Sequence, residues 1–152
     1  MDPLSEVLSL LSTQSSFFAG LHAGGDWAID FPPPDGIKFN AVVEGACWLT
    51  VEGRKRPVRL EAGDCFLLSR KRAFSLCSDL SLPTVKSDEV YRHAVNGIAR
   101  HGCADGFFLI GGHFAFGEEG RLLFDGLPPV AVIASRSDHR TVRANRVHLH
   151  ML

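Results

Sequence analysis

The sequence predicts a mainly β fold, a small barrel or sandwich built as one domain. The signal is strongest from Ala41 to Leu76, where short apolar runs alternate with glycines and charge clusters. Runs this short exclude helices of ordinary length. Strands that repeat this closely must close on themselves or stack, because their edges would otherwise stay unpaired. A chain of 152 residues is long enough to give such a fold a core.

The first half is predicted to begin with a short helix and continue as strands. Asp2 can cap a helix and Pro3 fits its first turn, and four apolar residues then recur at helical spacing: Leu4, Val7, Leu8 and Leu11. Strands are expected at 17–21, 27–31, 37–43, 47–51, 58–60, 65–68 and 74–77. The proline-rich loop at 32–36 cannot be a central strand.

The second half continues the pattern of strands and turns. Residues 78–88 are predicted to be a surface loop, 89–93 a weak strand and 94–105 a set of turns. The run from 107 to 116 is the most apolar, and Gly111-Gly112 within it predicts a bulge or a close backbone approach. A last strand is expected at 130–134. We therefore predict a domain at 1–134 and a basic tail at 135–152, either a helix or a frayed end.

Composition excludes several classes of function. A formal net charge of −1 gives no electrostatic case for binding nucleic acid or an anionic membrane, and no apolar run is long enough to span one. The four cysteines contain no C-x-x-C pair, which predicts buried reduced thiols in a cytoplasmic protein. No G-x-S-x-G, phosphate-loop or G-x-G-x-x-G motif is present, so no catalytic residue is assigned. His148 and His150 form an H-x-H pair without a visible third ligand, so exposed histidines are the preferred interpretation.

The glycine spacing of the chain resembles the cupin superfamily, whose members are double-stranded β-helix (jelly-roll) barrels with two metal-binding motifs. Gly25 and Gly45 fit the first and last glycines of the first motif, and Gly63 opens the second. The resemblance implies a cupin-like jelly-roll barrel with a short N-terminal helix.

The metal-ligand positions of the two cupin motifs are replaced. The glutamate position holds Lys38 and the last histidine position holds Phe74. The first two histidine positions hold Phe31 and Pro33, or Pro32 and Pro34 with the shorter spacer. Phenylalanine and proline offer no donor and an ammonium group repels a cation, so we predict neither a metal nor another cofactor.

A narrower resemblance covers Met1 to Ile133. The runs DWAIDFP, IKFNAVVEGACWLTVEG, PVRLEAGDCFLLSRKRAFSL, IGGHFAF and LPPV are similar, in order, to the N-terminal ligand-binding cupin of AraC-type transcription regulators. The resemblance implies a sensor domain, expected to form a homodimer, followed by a C-terminal helix-turn-helix region that binds DNA. We expect that region to be absent from this chain, so DNA binding is assigned only to it. The basic tail at 135–152 would then be the start of a linker to that region.

We predict a metal-free, non-enzymatic sensor whose ligand has an apolar body and an anionic group that pairs with Lys38. The predicted ligand contacts are Trp27, Lys38, Trp48, Phe74 and His113. Trp27 is expected near the mouth, whereas the direction of Trp48 depends on a register that sequence does not fix. An alternative for Lys38 is that its amine reaches solvent while Phe74 only fills core.

Two other functions stay open at this stage. A cupin-type isomerase or lyase acting on a small carboxylate metabolite would use Lys38 or His113 as its acid–base group. A plain association module would have a barrel packed solid. The basic turns at 54–56 and 70–72 lack interleaved aromatic residues, so they are interpreted as solvated turns.

Overall fold

The computed structural model describes residues 17–114, 126, 128–134 and 147–150. Within these ranges it contains strands and one short helix, in this order: β1 Phe17–Gly24, β2 Ala28–Phe31, β3 Ile37–Glu44, β4 Ala46–Val51, β5 Val58–Glu61, β6 Cys65–Leu68, β7 Phe74–Cys77, β8 Val85–Lys86, α1 Ser87–Tyr91, β9 Ile98–Gly102, β10 Phe107–Phe114, β11 Val130–Ile133 and β12 Val147–His150. The prediction of a mainly β fold is confirmed. The predicted N-terminal helix lies outside the described residues.

The strands form two sheets around one core. The larger has the order β12-β11-β6-β3-β10-β1-β9, and the smaller has the order β5-β4-β7-β2-β8. Strands β1 and β9 pair in parallel, as do β2 and β8, while the other pairs are antiparallel. Non-consecutive strands lie next to each other in both sheets, which is the arrangement that distant segments of a rolled-up barrel require.

Alternation along each strand decides which side chains enter the core. In β4, Cys47, Leu49 and Val51 are buried, whereas Trp48 and Thr50 between them are only partly covered. Successive side chains of a strand point to opposite faces, so this pattern places one face of β4 in the barrel. Complete burial of a leucine such as Leu49 stabilises the fold by roughly 2 kcal/mol.

Gly45 makes the sharp turn from β3 to β4. Its φ of 84° lies in the left-handed region, and a Cβ at this position would overlap the carbonyl oxygen of Gly106. A side chain is therefore excluded both by conformation and by space. This is the glycine that the resemblance placed at the end of the first motif.

Several boundaries differ from the sequence prediction. Residues 89–93, predicted as a weak strand, instead belong mostly to helix α1, whose first turn carries Asp88 and Glu89, as the helix dipole favours. The predicted loop at 78–88 contains β8, and the predicted turns at 94–105 contain β9. Residues 147–150 are neither helical nor frayed: they form β12, which pairs with β11.

All four cysteines are free thiols. Cys47 and Cys77 are buried, Cys65 is partly covered, and Cys103 is exposed. Burial raises the pKa of Cys47 to about 12 and that of Cys65 to about 11.

In the part of the chain that the structure describes, no helix is long and apolar enough to cross a membrane.

Candidate functional site

A cavity of about 550 Å³ opens at one end of the barrel. Its walls come from the inward faces of β3 and β10, from the ends of β2 and β7, from the proline loop after β2, and from α1. The side chains that matter chemically are Lys38, His113, Phe31, Phe74 and Tyr91. Most of the surface is apolar, and one amine and one imidazole form part of the wall.

Lys38 and His113 face each other across neighbouring strands. They are register partners in β3 and β10, and Lys38 Nζ lies 3.3 Å from His113 Nε2. The Lys38 side chain is only 8% exposed. Among the residues described, no carboxylate lies within ion-pair distance of Nζ. The amine is thus buried beside an imidazole without a counterion.

Burial changes the titration of both groups. Desolvation lowers the pKa of Lys38 to about 8, because the charged form loses its water without gaining an anion. Desolvation, followed by repulsion from Lys38, also holds the pKa of His113 below its usual range, while Asp35 acts in the opposite direction. At neutral pH the neutral imidazole therefore dominates, and in the Nδ1–H tautomer its Nε2 can accept a hydrogen bond from Lys38 Nζ.

Two stacked rings form the aromatic wall. Phe31 and Phe74 are register partners at the ends of β2 and β7, and their rings are nearly parallel, 4.7 Å apart with an interplanar angle of 3°. Phe66 meets Phe74 edge-on at 5.9 Å. Such aromatic pairs add roughly 0.5–1.5 kcal/mol beyond area burial. Both Phe31 and Phe74 line the cavity and make this part of its wall apolar.

Asn40 lies one inward position further along β3, beside Gly111 of β10. The Asn40 side chain is 2% exposed, and its Nδ2 has no hydrogen-bond partner among the described residues. A Cβ on Gly111 would overlap Asn40 Oδ1 and come within 2.7 Å of Phe39 O. The predicted close backbone approach at Gly111 is confirmed, and the register shift of β10 lies between Phe108 and Leu109.

The acidic groups of the cavity lie at its rim. Asp35 pairs with Lys71 at 3.0 Å, and both side chains are exposed. Asp88 of α1 also lines the opening and is exposed. An exposed ion pair of this kind contributes only about 0–1 kcal/mol to stability. The site therefore has a buried amine in its wall and solvated carboxylates at its rim.

The structure brings three of the five predicted contacts together. Lys38, Phe74 and His113 line the cavity, whereas Trp27 and Trp48 do not. Trp27 is 3% exposed and packs on Phe107, with ring centroids 4.7 Å apart, at the opposite end of β10 from His113. It plugs that end of the barrel and does not lie near the mouth.

Trp48 lies on the outer face of the smaller sheet. The register pairs it with Arg59 of β5, and the Arg59 guanidinium carbon lies 5.1 Å from the ring centroid. The burial alternation of β4 fixes this direction, because Cys47 and Leu49 on either side point inward. Trp48 therefore points away from the barrel interior and does not line the cavity.

Two aromatic groups that line the cavity, Phe31 and Tyr91, are not among the contacts predicted from sequence. Phe31 is predicted only to occupy a replaced metal-ligand position, and nothing in the sequence analysis assigns Tyr91 to the site. Phe31 had a sequence signal, because its position in the first motif is one that holds a metal ligand in other members of the resembled family. Tyr91 had no such signal, since it reaches the cavity from a helix that was predicted as a strand.

Two observations bear on the alternatives for the barrel interior. Lys38 does not extend its amine into solvent, because its side chain is buried in the cavity wall. The barrel is not packed solid, because a cavity of about 550 Å³ remains at one end.

The positions that would hold a metal in the resembled motifs do not fit one. They present the stacked rings of Phe31 and Phe74 and the amine of Lys38, and only His113 nearby offers an imidazole. No group of three or more His, Cys, Asp or Glu side chains in the described ranges could hold a metal ion. A cation needs several imidazole or carboxylate donors, which this set does not supply.

A second cavity of about 490 Å³ lies on the far side of α1. It is lined by His22, Val90, His93, Val95, Ile98 and Arg100. The short helix separates the two hollows: Tyr91 faces the first, and the adjacent Val90 faces the second.

Comparison with known proteins gives a family and two relatives. The Cupin family model matches residues 2–150. A protein from Streptomyces antibioticus and one from Streptomyces lividans, both named "Putative AraC-like transcription regulator", are 49% and 47% identical to this chain over 140 residues. Each alignment covers 91% of this chain and 46% of the relative, so the chain spans about half the length of the curated relatives it matches.

Proposed function

The chain belongs to the cupin family, and from that membership we propose that it is the small-molecule-sensing domain of an AraC-type transcription regulator. The names of the two Streptomyces relatives support this assignment, and the half of each relative outside the alignment leaves room for a DNA-binding region. In this proposal the ligand binds in the barrel and biases how that region is presented to DNA.

One observation carries the proposal: a buried amine with no carboxylate partner in the described part of the chain faces an apolar cavity. A buried charge without a partner is unfavourable, so the site is complementary to a ligand that brings an anion. The Phe31–Phe74 wall suits an apolar body on the same ligand. The cavity volume falls within the roughly 300–1,000 Å³ typical of small-molecule sites.

Such a ligand would reverse the effect of burial on Lys38. A carboxylate beside Nζ favours the charged amine, so the pKa of Lys38 rises from about 8 when the complex forms. Binding at pH 8–9 is therefore accompanied by proton uptake. Calorimetry in two buffers of different ionisation enthalpy measures that uptake directly.

A thermal-shift screen with small aromatic carboxylates tests the function. A ligand at 100 times its Kd stabilises the protein by about 2.7 kcal/mol, which is easily detected. We expect Lys38→Met to remove the shift and Lys71→Met, which alters an exposed lysine at the rim, to retain it. A library in which no member stabilises the wild type, or one whose hits stabilise Lys38→Met equally, would overturn the proposal.

The homodimer expected from sequence belongs to the same proposal. Val43, Ile98 and Ile110 are exposed apolar residues of the larger sheet, and they supply a surface that a second copy could cover. Sedimentation of wild type and of Ile110→Lys tests this. A dimer that the substitution weakens supports self-association through this sheet, and a monomer at all concentrations excludes it.

An isomerase or lyase is the second candidate, because Lys38 Nζ and His113 Nε2 lie 3.3 Å apart and both have lowered pKa values. A pair of this kind can exchange a proton with a bound substrate near neutral pH. Prolonged incubation of each thermal-shift hit with the protein separates the two functions. We expect the hit to be recovered unchanged, whereas a new product formed in proportion to protein concentration would favour the enzyme.

A further inference from the structure

We propose that Lys38 captures the carbonyl group of a 2-oxo acid as a reversible imine, so that the domain senses an aromatic 2-oxo acid through a covalent bond. This inference rests on the proposed function, because the ligand occupies the same cavity. It adds a reaction step and a chemical class of ligand.

The geometry around Nζ is that of a nucleophile with a proton acceptor. Lys38 Nζ is held in the cavity wall 3.3 Å from His113 Nε2. No carboxylate in the described ranges holds the amine in its ammonium form. An exposed lysine of this chain, Lys71, shows the contrast, since its Nζ pairs with Asp35 at the rim.

Burial makes the free amine available near neutral pH. The pKa of Lys38 is lowered to about 8, so roughly a quarter of the protein molecules carry a neutral Lys38 amine at pH 7.5. A lysine at its ordinary pKa has only about a thousandth of its amine in that form at the same pH. Desolvated lysines of this kind are the ones that form Schiff bases with carbonyl compounds.

The reaction balances with the groups at the site. The Nζ lone pair forms a bond to the carbonyl carbon, and the carbonyl π electrons move to oxygen. His113 Nε2 takes one proton from Nζ and passes it to that oxygen, which gives a carbinolamine. A second proton, taken from solvent through His113, lets the hydroxyl leave as water while nitrogen forms the second C–N bond. The products are a protonated imine and one water, with no oxidant or reductant.

The remaining features of the cavity select the rest of the ligand. The protonated imine keeps the positive charge at Nζ, so a carboxylate on the neighbouring carbon still has a cation beside it. The stacked Phe31 and Phe74 rings line the cavity and provide an apolar wall for an aromatic body. Together these groups favour a 2-oxo acid over a simple aldehyde.

Reductive trapping tests the imine. Wild-type protein is incubated with phenylpyruvate, reduced with sodium cyanoborohydride, and analysed by intact mass and peptide mapping. We expect one adduct per chain, located on Lys38. Lys38→Arg keeps a positive charge but offers no primary amine, so trapping should fall at least tenfold. Lys71→Arg is the matched control and should be trapped like the wild type.

A reduced analogue separates the imine from the binding function. Phenyllactate has a hydroxyl where phenylpyruvate has the carbonyl, so it can bind but cannot condense. If both compounds stabilise the protein and phenylpyruvate leaves no adduct, the imine is wrong and the sensor stands. The imine proposal is also wrong if Lys55, Lys71 and Lys86 are labelled to the same extent as Lys38. If no compound of the wider carboxylate library stabilises the protein and no adduct forms, both proposals fail.

Discussion

The two ends of the barrel are built from the same strands but carry opposite chemistry. At one end β3 and β10 present Lys38 and His113 to a cavity, and four residues further along they present Val42 and Leu109 to a closed core. Trp27 fills that second end against Phe107. The comparison teaches that strand alternation determines what points inward, whereas side-chain size at each end determines whether a space remains.

The difference has an energetic meaning as well. The packed end stabilises the fold through buried apolar surface, at roughly 25 cal/mol per Å². The cavity end opposes stability, because it holds an amine away from water without a carboxylate in the described part of the chain. Four substitutions examine this contrast, in order of decreasing effect.

Trp27→Ala should have the largest effect, because it empties the packed end. Replacing a buried tryptophan by alanine typically lowers the free energy of unfolding by about 3–5 kcal/mol. Urea denaturation measures the loss. The folded fraction should bind a cavity ligand with unchanged affinity, since Trp27 does not line the cavity. A variant with full stability and weakened binding would contradict the division between the two ends.

Lys38→Met should have the opposite effect and raise the free energy of unfolding at pH 7. The pKa of Lys38 falls from 10.5 to about 8 on folding, a change that corresponds to about 3 kcal/mol. We expect a gain of about 2 kcal/mol, because methionine also loses the contact with His113.

The pH dependence of the same pair of proteins checks the cause. Because the folded-state pKa of Lys38 is depressed, the unfolded state binds more protons between pH 8 and 10.5, so wild-type stability rises through that window relative to Lys38→Met. Below pH 8 the amine is charged in both states and the full destabilisation persists. A difference in stability that does not change from pH 7 to 10 would show that desolvation of Lys38 is not its origin.

Gly111→Ala should destabilise the protein by disturbing the packing of β10 against β3 between the two ends of the barrel. The added methyl group overlaps Asn40 Oδ1 and approaches Phe39 O, and overpacking of this kind destabilises by about 1–3 kcal/mol. Asn40→Ala in the same chain should recover part of the loss, because the side-chain overlap disappears while the backbone contact remains. Purely additive effects of the two substitutions in urea denaturation would contradict this contact.

Arg59→Ala should have the smallest effect. It removes a cation–π contact with Trp48 on the outer face, which is worth about 0.5–1 kcal/mol at an exposed position. Ligand affinity should not change, because neither residue lines the cavity. A clear loss of binding in this variant would return Trp48 to the list of ligand contacts.

The sequence predicted the fold and the base of the cavity for identifiable reasons. Glycine spacing and short alternating runs indicated the barrel, and the replaced motif positions identified Lys38 and Phe74. His113 stood out as a polar residue in an apolar strand. These signals are local, so they can be recognised in the sequence without knowing which strands pair.

Other features depend on long-range pairing and could not be predicted. The outward direction of Trp48 follows from its register with Arg59, and the position of Trp27 follows from its contact with a strand about 80 residues away. Helix α1 is too short for a periodic pattern. Strand β12 has the alternation Val147-His148-Leu149-His150, but basic neighbours along 135–146 obscured it.

The four thiols differ in solvent exposure, and this difference gives the domain one site for selective chemical labelling. Thiolate is the form that reacts with maleimides and iodoacetamides, and burial raises the pKa of Cys47, Cys65 and Cys77. Cys103 is exposed, and its sulfur lies close to Gly24. Gly24 is the last residue of β1, three residues before Trp27. A fluorophore can therefore be placed at this single position in the native sequence, far from Lys38, and its emission would follow unfolding of the closed end while the open end titrates with ligand.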